Sequence, residues 1–232
     1  MVAEYMEDSN TQKSSRGFNH SEDPKAPSQE PVCYKRTVSN GSNYASSFPD
    51  NEEFTVPTVK MPDGTYIMDS LVIARELEKQ YPSPDLQIDS PLRQRYADEL
   101  SKSFGGLRAE FILRVPNILL KEVNHDYWHA TRSQWVGMPL EKYVQENGGE
   151  KAYKAAAPFL QNITAMLKEN DKGVFFLGDT ISYVDFYHAG FLVMFRSFGD
   201  EVFDKILEAS GDPEVHLKFL EALKPWIERD DH

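Results

Sequence analysis

From Leu92 to Trp226 the only sustained period in the sequence is helical, and this limits the fold more than any other feature. Leu92, Tyr96, Leu100, Phe104, Leu107 and Phe111 recur every three or four residues, which lays one apolar face along a long helix. Pro116 must kink or end that helix, because proline lacks the amide hydrogen and its ring clashes with the carbonyl four residues back. The same spacing predicts a helix from about Gly149 to Glu169 and another from about Tyr183 to Phe198. Two shorter ones are expected near Val202–Ala209 and Glu214–Trp226. No strand signal falls between them, so this part must bury helix against helix.

Upstream the pattern changes. Phe54 to Met61 reads as a strand interrupted by Pro57, Pro62-Asp63-Gly64-Thr65 as a turn, and Tyr66-Ile67-Met68 as the returning strand of a hairpin. Asp69-Ser70 then opens a helix to about Tyr81, with Leu71, Ala74 and Leu77 at helical spacing and Pro82 just past its end. Tyr81-Pro82-Ser83-Pro84-Asp85 has the composition of a linker. Residues 1 to about 52 are polar and rich in Ser, Asn, Asp, Glu and Pro. The stretch Glu7 to Glu30 cannot bury enough apolar surface to offset the entropy of ordering it, so residues 1 to about 30 are expected to lack stable structure. Only Pro31 to Val38 could form a short strand there, before the turn signal Asn40-Gly41. Pattern alone thus predicts a small β-containing unit followed by an all-α unit; the chain is divided into a disordered or atypical segment over 1–47, with the two units over 48–84 and 85–232.

Charge narrows the partners. With 37 acidic against 25 basic side chains the formal net charge is −12, which argues against binding nucleic acid and against attraction to anionic membranes. No apolar run approaches the roughly 20 residues needed to span a bilayer. Met1 to Ser9 carry acids and no apolar stretch, so no signal peptide is expected. The single cysteine, Cys33, excludes an internal disulfide, and a reducing, cytoplasmic setting is the expectation. Asn19-His20-Ser21, Asn40-Gly41-Ser42 and Asn162-Ile163-Thr164 match the N-glycosylation pattern and are read as chance in such a setting.

Two motifs could carry function. A proline inside a strand-like run, as in Val56-Pro57-Thr58, removes a ladder donor. A cis bond there would let Val56 offer its N–H and C=O to an extended peptide. Asp69 and Ser70 stand where the next helix begins, a place with unpaired backbone N–H groups, the positive end of the helix dipole and a hydroxyl, all suited to a carboxylate. The Asp69 carboxylate could accept from an amino group. An edge-strand proline and a plain N-cap are the simpler alternatives for each motif. Farther on, Ser182-Tyr183-Val184-Asp185 has the spacing of a capping box, with Ile181 and Phe186 at the staple positions.

Together these residues resemble the glutathione transferase superfamily, over roughly residues 48–228. Val56-Pro57, Asp69-Ser70 and Ser182-x-x-Asp185 match, in order, its cis-proline, its acidic residue plus serine before a helix, and its buried capping box. Phe48-Pro49-Asp50 is similar to fungal members. The resemblance implies a partial thioredoxin-like α/β domain, whose C-terminal part is residues 48–84, followed by an all-helical domain. It implies glutathione as co-substrate, bound by Val56, Pro57, Asp69 and Ser70, and a structural role for Ser182 and Asp185. It also implies a small hydrophobic electrophile as acceptor, a homodimer, and no metal.

The chain departs from the family at its start. Members build strand, helix, strand and helix before the cis-proline, roughly 35–40 residues at average element lengths, with the catalytic Tyr, Ser or Cys at the end of the first strand. Cys33 lies only 24 residues before Pro57, and Tyr34-Lys35-Arg36 lacks the pattern of a thiol transferase. No apolar strand precedes Ser14, Ser15 or Tyr5. The catalytic residue is therefore unassigned, and the first half of the thioredoxin-like domain reads as missing, replaced or altered by a shifted reading frame. A non-catalytic ligand- or protein-binding module, or a structural dimer component, stays open beside the transferase. His125 and His129 have a metal-pair spacing without a third ligand and read as a solvated face. Trp128, Trp135 and Trp226 are expected in the core or a domain interface, and Arg108 and Arg114 could face a cleft.

Overall fold

The computed structural model describes residues 57–227. The expectations for residues 1 to about 30, for the strand at 31–38, for Cys33, and for Val56 with its bond to Pro57 lie outside the described residues. Within them the chain divides into two units, 57–84 and 85–227.

The first unit is a hairpin and a helix. Strands β1 (Thr58–Lys60) and β2 (Tyr66–Met68) pair antiparallel, with Val59 opposite Ile67. Of the strand expected from Phe54 to Met61, the described part shows Thr58–Lys60, which begins just after Pro57, a residue with no amide hydrogen for a ladder. The turn between the strands is built by its own side chains. Asp63 Oδ1 accepts from the Thr65 N–H at 2.9 Å and from the Thr65 hydroxyl at 2.6 Å. Those bonds, the hydroxyl's first, hold the Asp63 carboxyl below its ordinary range. Gly64 takes the positive φ of 87° that the reversal needs. Helix α1 (Ser70–Gln80) follows and buries Ile73.

The second unit is helical throughout: α2 (Pro91–Phe111), α3 (Arg114–Leu119), α4 (His125–Val136), α5 (Leu140–Asn147), α6 (Glu150–Leu167), α7 (Tyr183–Ser197), α8 (Asp200–Ala209) and α9 (Pro213–Ile227). The apolar stripe of α2 faces inward as its spacing predicts: Tyr96, Leu100 and Leu107 are buried, and Leu92, Phe104 and Phe111 pack on the same core. α2 ends before Pro116, which sits in the first turn of α3, where its missing N–H forfeits no helical bond. Ala152, Ala156, Leu160 and Ile163 of α6 belong to the buried core. Gly106 lets α6 come close, since a Cβ at that position would lie 2.8 Å from the Ala156 nitrogen.

α4 and α5 were not separately legible, because α4 buries no side chain fully and carries no continuous apolar stripe. Between α6 and α7 two isolated bridges, Phe175 with Gly178 and Leu177 with Thr180, tighten a loop that has no strand pattern.

Candidate functional site

Of the residues singled out for ligand binding, Asp69 and Ser70 stand at the junction of β2 and α1, Pro57 directly precedes β1, and Val56 lies outside the described residues. Asp69 is the N-cap of α1 and holds φ 78° and ψ 120°, a positive φ that is uncommon outside glycine and costs backbone energy. Part of that cost is offset locally. Asp69 Oδ1 accepts from the Leu71 N–H at 2.9 Å and the Val72 N–H at 3.3 Å. The Asp69 carbonyl begins the helix by accepting from the Ile73 N–H at 2.9 Å.

The helix end is thus less open than a count of unpaired donors suggests. Two of its first N–H groups are taken by the aspartate beside them. The groups with no hydrogen bond to another described residue are the Ser70 N–H, the Ser70 hydroxyl and Asp69 Oδ2. Both residues are exposed. The arrangement can present two donors at the positive end of a helix to a carboxylate, and one carboxylate oxygen beside them to an ammonium.

Ser182 and Asp185 hold the start of α7 as a capping box. The Asp185 carboxylate accepts from the Ser182 N–H at 2.7 Å, from the Ser182 hydroxyl at 2.6 Å and from the Phe176 N–H at 3.0 Å. The third bond ties the loop before α7 to the helix, a role beyond capping. Burial, the largest influence, raises the Asp185 carboxyl above its ordinary range, and the three donors oppose it. Nothing about the pair faces a ligand: both side chains are buried.

Other polar groups in the helical unit escaped the sequence reading. Glu110 is buried and accepts from the Gly149 N–H at 2.6 Å and the Tyr153 hydroxyl at 3.0 Å, with Arg114 at 3.4 Å. It anchors the start of α6. Burial, helped by the Glu110 charge, drives the Tyr153 hydroxyl well above its ordinary range. Tyr96, His188, His216 and Thr164 form a buried hydrogen-bonded run. His188 gave a signal in the sequence, a polar residue on the same helical stripe as Val184, Phe191 and Phe195.

The surface around α3 and α4 is aromatic and cationic. The Arg108 guanidinium lies over the Trp135 ring at 4.1 Å and that of Arg132 over Trp128 at 4.4 Å. Trp128 donates to the Ile112 carbonyl at 2.7 Å. Ile118, Leu119, Val123 and Tyr127 are exposed beside them in sequence. Of the three tryptophans, Trp135 is 42% and Trp226 52% exposed, so these two lie outside the core of the unit. An indole tolerates this because its amphipathic ring can lie flat on a surface and meet a cation. Of the arginines expected toward a cleft, Arg114 turns to Glu110 and Arg108 to Trp135. His125 opens α4 with Nε2 at 3.4 Å from the Leu120 carbonyl. Among the described residues no three His, Cys, Asp or Glu side chains gather as a metal site, and no helix is long and apolar enough to cross a membrane.

Comparison with known proteins agrees with this architecture. The family model of the glutathione S-transferase C-terminal domain matches residues 92–226. The fold is similar to that of glutathione transferase GSTFuA2 from Phanerochaete chrysosporium, with 25% identity, a TM-score of 0.60, and coverage of 72% of this chain and 71% of that one. It is also similar to GSTFuA3 of the same fungus, with 24% identity, a TM-score of 0.54, and coverage of 73% and 69%. No curated protein matches. The fold is that of a partial thioredoxin-like unit followed by the all-helical C-terminal domain of these enzymes.

Proposed function

We propose, from the premise that this chain belongs to the glutathione S-transferase family, that it binds glutathione at the start of α1 and transfers it to a small hydrophobic electrophile. The observation that carries the reading is the Asp69–Ser70 cap. Glutathione ends in a γ-glutamyl group with an ammonium beside a carboxylate. The Ser70 N–H and hydroxyl would hold the carboxylate, and Asp69 Oδ2 would accept from the ammonium. Val56 and Pro57 would pair with the peptide backbone of the ligand, with residues 48–84 as the glutathione-binding part and 85–232 as the helical domain.

In this reading the protein binds the tripeptide and stabilises its thiolate, which attacks the electrophile while the leaving group departs or a double bond takes the new C–S bond. The thiol activator is unassigned. A cytoplasmic homodimer is the form expected of it. Calorimetric titration with glutathione, run beside a thiol-conjugation assay on the same preparation, tests the proposal. Saturable binding that Ser70→Ala weakens by fivefold or more is expected, with turnover above the uncatalysed rate. Binding without turnover would make the chain a non-catalytic module. No binding, with Ser70→Ala silent, would refute the site.

A further inference from the structure

Four polar side chains that the proposed reaction does not use run through the middle of the helical unit. Tyr96 Oη lies 3.0 Å from His188 Nδ1, and His188 Nε2 lies 3.0 Å from His216 Nδ1. His216 Nε2 lies 2.9 Å from Thr164 Oγ1. All four are buried, and they come from α2, α7, α9 and α6.

The sense of every hydrogen bond follows from one end. Thr164 has a single hydroxyl hydrogen, directed at the Leu160 carbonyl at 3.1 Å and the Ser210 carbonyl at 2.9 Å, both of which can only accept. Its oxygen therefore accepts from His216 Nε2–H. A neutral imidazole has one N–H, so His216 Nδ1 accepts from His188 Nε2–H, and His188 Nδ1 accepts from the Tyr96 O–H. The opposite sense would leave the Tyr96 hydrogen with no acceptor among the described residues. Three gaps hold three hydrogens.

We propose that this run is an acid-operated lock on the packing of α2, α6, α7 and α9, because a fourth hydrogen has no gap to enter. A solvent proton taken up by His216 makes an imidazolium that donates at both nitrogens. Its Nδ1–H then meets His188 Nε2–H head on. His188 can answer only by moving its hydrogen to Nδ1, which expels the Tyr96 hydrogen from the bond that holds it. A proton on His188 expels the same hydrogen directly. Either way one buried donor is stranded, and solvent must enter between the helices to receive it.

The surrounding charges do not relieve this. Asp212, just before α9, favours a cation on His216, but its carboxylate is already bonded to Lys168, just past the end of α6, at 2.7 Å. Asp185 of α7 bears on Tyr96 with its three donors in place, and Tyr187 of α7 lies beside the same ring. Burial therefore keeps both imidazoles neutral: His188 titrates well below its ordinary range, and His216 is pushed down to about 4. Both folded values are depressed, so the stability they lend is complete above the unfolded value of 6.5 and is lost as pH falls from there toward about 4. His216 alone then lowers the folding equilibrium constant about 20-fold between pH 7 and pH 5.

The test needs no substrate and stands apart from the transferase reading. Long-range 1H–15N spectra of the full chain should show both imidazoles as Nε2–H tautomers at pH 7, still neutral at pH 5. Urea unfolding of the same chain should show at least the 20-fold loss. His188→Leu/His216→Leu should flatten that dependence. If this double variant fails to fold, the wild-type spectra and urea series still decide. A folded-state titration of either ring near 6.5, an Nδ1–H tautomer at His216, or a folding constant that is flat from pH 7 to pH 5 would overturn the proposal.

Discussion

Gly105 and Gly106 are adjacent in the middle of α2, yet adding one methyl group to each should change stability in opposite directions. In a helix interior alanine is favoured over glycine by up to about 1 kcal/mol. At Gly105 a new Cβ meets nothing within 4 Å, so Gly105→Ala should realise most of that gain. At Gly106 the same atom would lie 2.8 Å from the Ala156 nitrogen, 3.0 Å from its Cα and 3.1 Å from the Ala155 carbonyl carbon. All three are backbone atoms of α6, which cannot rotate aside as a side chain would. Separating the helices costs roughly 1–3 kcal/mol of overpacking and disturbs the apolar layer on both sides. Set against the propensity gain, Gly106→Ala should come out about 0–2 kcal/mol less stable than wild type. The two variants should then differ by the overpacking cost, about 1–3 kcal/mol, or several degrees in melting temperature for a unit of this size. Urea midpoints with a shared slope, supported by thermal scans, measure it. Equal stability of the two variants would mean that α2 and α6 do not approach at Gly106, and the register assigned to them would be wrong.

Two further substitutions probe the buried polar groups. Ser182→Ala should cost about 0.5–2 kcal/mol for the lost cap. Asp185→Ala should cost more, because it also strands the Phe176 N–H, and the double variant should fall short of the sum; additive urea midpoints would refute the shared motif. Glu110→Ala should strand the Gly149 N–H and the Tyr153 hydroxyl at roughly 1–3 kcal/mol each, with Glu110→Gln recovering part through its remaining oxygen. A Glu110→Ala chain within about 0.5 kcal/mol of wild type would show that these donors find water instead.

What the sequence disclosed, and what it withheld, follows from how far each feature depends on distant residues. The α2 stripe and the hairpin were legible because their signals are local: large apolar side chains at a 3.6-residue period, and Pro62-Asp63-Gly64-Thr65 between two short β-prone runs. α4 was not, because a helix that buries no side chain fully needs no apolar stripe, and its tryptophans meet arginines on the surface instead of a core. At the candidate site the two residues were legible but their division of labour was not. The aspartate side chain is short enough to fold back on Leu71 and Val72, so it uses one oxygen on its own helix and leaves the Ser70 N–H and hydroxyl without a hydrogen bond to another described residue. Glu110 and the histidine pair lay deepest out of reach. Glu110 and Gly149 stand 39 residues apart and His188 and His216 28 apart, distances that only tertiary packing closes. Their type was still informative in one respect. A carboxylate or imidazole placed on the apolar face of a helix must find partners or leave the core. An ionisable residue on such a face therefore marks where helices from distant parts of the chain must meet, even when the sequence cannot say which ones.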